Sequence, residues 1–217
     1  MDFSKLSPKE QICEAGRRMY AAGMASANDG NISLRQKDGS ILCTPTGVSK
    51  GYMEPDMICT VSPEGDLLDP GKGYTPSSEI KMHLGVYKNL PQVNAVVHAH
   101  PVYATTFAAA GESLTAPVLI ESVEQFHHVP CVKYAAPSTS ELADSIVPYL
   151  KESTALLMEF HGALTWSSGL LKAYMKMESL EFYARILYQM RAIGSTNALP
   201  DDRVAQLLEI KEKLGIE

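Results

Sequence analysis

The stretch Asn94-Ala95-Val96-Val97-His98-Ala99-His100-Pro101 leaves this chain few options. Its β-branched apolar residues make it a buried strand, and the proline at 101 ends that strand. Side chains alternate faces along a strand, so His98 and His100 project to the same side, at a separation one metal ion can bridge. Any sheet built around this segment therefore carries two imidazoles together at a strand exit.

A second apolar run, Leu156-Leu157-Met158-Glu159-Phe160, reads as another core strand and exits into His161-Gly162, where glycine permits close backbone approach. Three neutral imidazoles with an open position suit catalytic Zn²⁺, which polarises an oxygen or lowers the pKa of bound water. Three histidines also accept Mn²⁺ or Co²⁺. Of the remaining histidines, His83 falls in mid-helix, where a structural role is expected. His127 and His128 precede Val129-Pro130 in an expected turn and should face solvent.

The rest of the chain sets the fold class. Ser7-Pro8-Lys9-Glu10 opens an amphipathic helix over 7–24. Asn31-Ile32-Ser33-Leu34-Arg35 alternates like a strand, Lys37-Asp38-Gly39-Ser40 carries the Asp-Gly hairpin signal, and Ile41-Leu42-Cys43-Thr44 returns. A second hairpin is expected to turn at Pro63-Glu64-Gly65-Asp66. Helices are expected over 77–89, 102–110, 140–150, 170–192 and 201–213, with further strands at 129–134, 155–160 and 163–166. Hairpins mixed with covering helices indicate a layered α/β sandwich with a mixed sheet, not a strictly alternating βαβ fold. With no repeat or long linker, residues 1–217 read as one domain.

Composition excludes several classes of function. The formal net charge is −6 with no basic block to offset it, which argues against nucleic acid as a partner. No apolar run approaches the roughly 20 residues needed to span a bilayer. Met1-Asp2-Phe3-Ser4-Lys5 has no apolar stretch of the kind a secretion signal needs. Cys13, Cys43, Cys59 and Cys131 are widely spaced, so they are expected to be reduced, mostly buried thiols of a cytoplasmic protein.

Thr75-Pro76-Ser77-Ser78-Glu79 offers two hydroxyls and free backbone N–H groups at a helix start, which suits a phosphate and equally suits an ordinary cap. Glu79 in the first turn could face the ion as base, as ligand or as both. Pro45-Thr46-Gly47 and Asp29-Gly30-Asn31 are two more turns of small polar groups. Each alone is merely a turn; together they could converge as a neutral phosphate cradle.

Taken in order, Gly30-Asn31-Ile32-Ser33-Leu34-Arg35, Thr44-Pro45-Thr46-Gly47, Pro76-Ser77-Ser78-Glu79, His98-Ala99-His100 and His161-Gly162 resemble the class II aldolase/adducin-head family, from about residue 8 to residue 192. The resemblance implies a three-layer α/β/α domain with a mostly antiparallel nine-stranded sheet. It also implies a homotetramer with active sites between adjacent subunits. By position, His98, His100 and His161 match the family's zinc ligands. Glu79 matches a glutamate that can ligate zinc at rest and serve as the base. Asn31, Thr46, Gly47, Ser77 and Ser78 match phosphate-binding positions, and Asn28 sits near another.

The reaction implied is metal-dependent retro-aldol cleavage of a ketose 1-phosphate, here expected to be a deoxy-sugar phosphate, to dihydroxyacetone phosphate and an aldehyde. No Schiff-base lysine is required. The family's 4-epimerase carries aspartate at the Glu79 position, which favours aldolase. Leu119 stands where fuculose aldolase has a tyrosine, and residues 208–217 lack that enzyme's C-terminal tyrosine, so L-fuculose 1-phosphate is not the expected substrate. Glu121 is the candidate acid or substrate contact from a neighbouring subunit. Sister reactions of the family are decarboxylation of an oxo-sugar-acid 4-phosphate, methylthioribulose-phosphate-type dehydration and epimerisation. A non-catalytic adducin-head-like module is the other class of reading, and the intact ligand set argues against it.

Overall fold

Ser7 opens the first α-helix with a complete capping box: its hydroxyl accepts from the Glu10 N–H, and the Glu10 carboxylate accepts from the Ser7 N–H. This starts helix α1 (Pro8–Ala21), with proline in the first turn where no intrahelical bond is lost. The computed structural model describes residues 3–215.

Beyond α1 the expected hairpins form. Strand β1 (Asn31–Arg35) pairs antiparallel with β2 (Ile41–Cys43), and β3 (Cys59–Val61) pairs with β4 (Leu67–Asp69). Helix α2 (Ile80–Asn89) leads to β5 (Ala95–Ala99), then α3 (Val102–Ala109) and α4 (Ile120–Gln125). The remaining elements are β6 (Cys131–Val132), α5 (Ser140–Ile146), β7 (Ala155–Met158), β8 (Gly162–Ser167), α6 (Leu170–Ala192) and α7 (Asp201–Leu214).

The strands form one sheet in the order β4-β3-β2-β1-β5-β8-β7-β6, antiparallel except for the β6–β7 pair. This mixed, mostly antiparallel sheet between two helical layers is the expected α/β/α sandwich, but among the described residues it has eight strands, not nine. Two further pairings stop at single bridges, Pro45 with Pro76 and Leu114 with Val129. Proline has no N–H to donate, so Pro45, Pro76 and Pro130 keep these contacts from growing into a ladder.

Period-2 alternation sorts β5 between two cores. Ala95, Val97 and Ala99 join the core formed with α1, α3 and α6, which includes Met19, Phe107, Tyr174 and Met177. Val96 joins the opposite core with Met82 and Val86 of α2 and Leu142 and Ile146 of α5. Helix α6 buries Leu170, Ala173, Tyr174, Met177, Leu180, Ala184 and Leu187, the three- and four-residue spacing of a core-facing stripe. Each buried leucine or methionine of this stripe contributes roughly 1.5–3 kcal/mol of transfer free energy. His98 shares the face of Val96, so the fold aims it at the layer that α2 begins.

Connections around β5 are pinned by charge. Arg35 donates to the carbonyls of Tyr87, Pro91 and Val93, holding the turn that enters the strand. At its exit, the Glu181 carboxylate of α6 accepts from the Tyr103 and Ala104 N–H groups, both at 2.9 Å. These are N–H groups that the first turn of α3 leaves without intrahelical partners. No helix among the described residues is long and apolar enough to cross a membrane.

Candidate metal centre

Four elements place four side chains together. His98 lies in central strand β5, fully buried, directly across from Asn31 of β1. His100 follows two residues later on the same side, and its N–H is fixed by the Met24 carbonyl at 2.9 Å. His161 occupies the turn between β7 and β8. Glu79 caps α2 with φ −91° and ψ 7°, just outside the helix, where first-turn placement was expected. The turn Ser77-Ser78-Glu79 closes through an Ile80 N–H to Ser77 carbonyl bond of 3.1 Å, and this delays the helix.

The three imidazoles can offer ligand atoms that all lie within 4.8 Å of one another. The ring nitrogens are oriented from behind. His98 Nδ1 donates to the Ala163 carbonyl at 2.9 Å, which leaves Nε2 with its lone pair facing the site. The His100 Nδ1 is 3.6 Å from Asp29 Oδ2, and its Nε2 is 3.1 Å from His98 Nε2. Glu79 Oε2 stands 3.3 Å from His98 Nε2, and Oε1 stands 3.0 Å from His161 Nε2. Tetrahedral bonds of about 2.0–2.1 Å require ligand atoms about 3.3 Å apart. His98 and His100 Nε2, 3.1 Å apart, and the two Glu79 oxygens, 3.0 Å from His161 and 3.3 Å from His98, come near that separation, while the three imidazoles as a set are held only to within 4.8 Å. The donor set of hard and borderline nitrogen and oxygen ligands suits Zn²⁺.

Electrostatics support that reading. Burial works to raise the Glu79 carboxyl, but the hydrogen bonds from His161 and Asn31 and the proximity of the imidazoles outweigh it. The group stays well below the usual carboxylate range and is a carboxylate. Asn31 Nδ2 donates to Glu79 Oε2 at 2.7 Å and fixes its orientation. Burial pushes His98 well below its ordinary value and lowers His100 too, so both favour the neutral, ligating form.

Two glycines make the approach possible. A Cβ on Gly162 would sit 2.6 Å from the Ala99 carbonyl oxygen and from His100 Cδ2. Gly30, at φ +74°, would place a Cβ 2.8 Å from the His98 carbonyl oxygen. A side chain at either position collides with the strand that carries the histidines.

Beside the histidines lies a cavity of about 290 Å³. Asn28, Asn31, Thr46, Gly47, Ser77 and Ser78, all expected around a phosphate, line it together with Glu79, His100 and His161. Its two loops are stitched to each other: the Thr46 N–H donates to the Thr75 carbonyl at 2.9 Å, and the Ser77 N–H to the Thr44 carbonyl at 3.0 Å. The scattered turns of the sequence thus converge on one concavity of amides and hydroxyls.

Other residues lie elsewhere. Glu121 is exposed in the first turn of α4 and lines a different groove, with Phe126, Glu178, Phe182 and Tyr183. Within one chain it does not join the histidines. His83 is buried, its Nδ1 2.7 Å from the Ser33 hydroxyl, which also bonds Tyr87, in keeping with a structural role. His127 is exposed and His128 half-buried. Lys50 lines the cavity and was not singled out from the sequence, and Asp29, read there only as part of a turn, lines it too. Nothing in the pattern Val48-Ser49-Lys50-Gly51 marks a lysine that the fold will bury.

The Class II Aldolase and Adducin N-terminal domain model matches residues 10–188. The chain is 38% identical over 170 residues to a 5-methylthioribulose-1-phosphate/5-deoxyribulose-1-phosphate aldolase of Escherichia coli, covering 78% of each chain. It is 29% identical to a 5-deoxy-D-ribulose 1-phosphate aldolase of Bacillus thuringiensis serovar kurstaki, covering 95% of this chain and 96% of that one. Among solved structures, an L-fuculose 1-phosphate aldolase superposes with a TM-score of 0.86 at 26% identity, over 95% of this chain and 98% of the other.

Proposed function

Because the chain belongs to the class II aldolase and adducin N-terminal domain family, we propose that it is a metal-dependent aldolase. In this reading it cleaves a ketose 1-phosphate with a deoxygenated far end, of the 5-deoxyribulose 1-phosphate type, to dihydroxyacetone phosphate and an aldehyde. The observation that carries it is the clustering of His98, His100 and His161, with Glu79 against two of them, beside a cavity lined by hydroxyl and amide groups suited to a phosphate. The names of the Escherichia coli and Bacillus relatives supply the substrate class.

A divalent ion, Zn²⁺ in this reading, would be held by the three imidazoles and would supply the Lewis acidity that draws electrons from the ketose carbonyl. The chain's own residues do the rest. Asn28, Asn31, Thr46, Gly47, Ser77 and Ser78 hold the phosphate and so fix the carbonyl end beside the histidines. In cleavage, the bond between C3 and C4 breaks and its electron pair moves toward the carbonyl carbon as an enediolate. As the aldehyde forms, the C4 hydroxyl gives its proton to the Glu121 carboxylate of a neighbouring copy in this reading, the group that returns it to the aldehyde oxygen in condensation. Glu79, 3.0–3.3 Å from two of the histidines, takes up a proton from solvent and passes it to C3, which completes dihydroxyacetone phosphate. In the condensation direction the same carboxylate removes that proton. Asn31 keeps the carboxylate aimed throughout. Glu121 of a neighbouring copy is proposed as the acid for the aldehyde oxygen, within a homotetramer.

The test is a panel of ketose 1-phosphates, including 5-deoxy and 6-deoxy sugars, given to the metal-loaded protein with dihydroxyacetone phosphate release followed by a coupled assay. The expected result is release with preference for the deoxy sugars. No release from any member overturns the aldolase reading and points to the decarboxylation or dehydration chemistry of the family.

A further inference from the structure

The cavity beside the histidines is lined by hydroxyls, amides, carboxylates, the imidazoles of His100 and His161, and one ammonium. Among the described residues lining it, Lys50 is the only lysine or arginine. It lies in a single tight turn, residues Lys50–Tyr52, packed against α1, with 2% of its surface exposed. Gly16 of α1 makes the room: a Cβ there would fall 2.6 Å from the Lys50 carbonyl oxygen.

What makes this lysine unusual is its company. Its Nζ donates to the Asn28 carbonyl at 2.8 Å and to the Val48 carbonyl at 2.7 Å. Both acceptors are uncharged. The nearest carboxylates, Asp29 and Glu79, act on it only through space, and each is engaged elsewhere, with His100 and with Asn31, His98 and His161 respectively. A buried cation ordinarily has an ionic partner or gives up its proton. Burial indeed lowers the ammonium to about 8, which leaves it mostly charged at neutral pH.

Two of its three donors tie the 28–31 loop to the 46–48 loop, the two segments that contribute Asn28, Asn31, Thr46 and Gly47 to the cavity. We propose that Lys50 is the phosphate site's own cation, bracing both loops and holding a buried positive charge that a substrate phosphate neutralises. This rests on the reading of the cavity as a phosphate site. It adds an ionic component to a cradle that otherwise binds through neutral dipoles. A phosphate dianion entering the cavity is then the ionic partner that Lys50 lacks among the described residues.

The test uses inorganic phosphate, titrated calorimetrically into the metal-loaded protein after excess metal is removed. Wild type, Lys50→Met, Lys50→Gln and Ser77→Ala are compared at equal metal content. The proposal expects wild-type binding and at least a tenfold weaker affinity in both Lys50 variants. It also expects a rise in KM for the sugar phosphate, with kcat within about threefold. Lys50→Met affinity within twofold of wild type, alongside a loss in Ser77→Ala, overturns the role of Lys50 and leaves the phosphate site standing. No phosphate binding by the wild type overturns both. Lys50→Gln keeps an amide donor for one of the two carbonyls, so it covers the case in which Lys50→Met does not fold. If neither variant folds, the wild type with ¹⁵N-labelled lysine side chains decides: a buried ammonium resonance unmoved by phosphate overturns the proposal.

Discussion

Replacing Gly162 by alanine should damage the proposed metal centre without altering any of its candidate ligands. The new Cβ would meet the Ala99 carbonyl oxygen and His100 Cδ2 at 2.6 Å, about 0.8 Å short of ordinary van der Waals contact, and His98 Cε1 at 3.3 Å. The Ala99 oxygen belongs to a central strand, with β1 on one side and β8 on the other, so it cannot yield cheaply. Relief must come from the histidine rings and the β7–β8 turn, and this pulls His100 and His161 out of register with His98. Overpacking of this kind costs about 1–3 kcal/mol, which for a chain of this size lowers Tm by roughly 2–12 °C. Ligand displacement of several tenths of an ångström should weaken metal binding by at least tenfold. Thermal unfolding with and without chelator, and competition with a chromogenic chelator for Zn²⁺, measure both. A G162A protein with wild-type Tm and wild-type metal affinity would refute the packing argument.

Glu79→Gln keeps the size of the side chain and a partner for Asn31 but removes the proton-carrying carboxylate; turnover should fall by about 10²- to 10⁴-fold while three histidines still retain metal. Wild-type turnover in E79Q assayed at full metal content would remove Glu79 from the chemistry. Glu121→Gln should sharply lower turnover with metal content intact, and normal turnover would show that this exposed carboxylate of α4 has no part in any copy's site. Stripping the metal should destabilise the fold. Saturating Zn²⁺ at about 1,000 times its Kd restores about 4 kcal/mol, or roughly 8–16 °C in Tm, and an unchanged Tm in a melting scan would contradict a site built on four converging side chains.

The legible parts of this molecule are those where one local rule operates without competition. His98 and His100 were readable because alternation along a buried strand is insensitive to what the strand pairs with. His161 was readable because an apolar run ended at it, although that run stops as a strand at Met158 and the turn carries Phe160 at φ +58°. Glu79 was placed in the right neighbourhood but one step too far into α2, since the Ser77-Ser78 turn and the bonds from Ser77 to Thr44 delay the helix. Helix α4 is six residues with little apolar periodicity and left no readable signal. Strand order was hidden as well. Pairing β5 between β1 and β8 depends on contacts more than 60 residues apart, as between His98 and Leu164. Lys50 was hidden most deeply, because its burial comes from α1, reached through the fold alone.

The most direct test of the central claim starts from protein freed of metal by chelation. Zn²⁺ is titrated back while dihydroxyacetone phosphate release from 5-deoxyribulose 1-phosphate is followed. The account predicts activity that rises in proportion to bound metal, levels off at one ion per chain and is absent from a His100→Ala variant. Full activity in the metal-free protein, or none at one ion per chain, would contradict it.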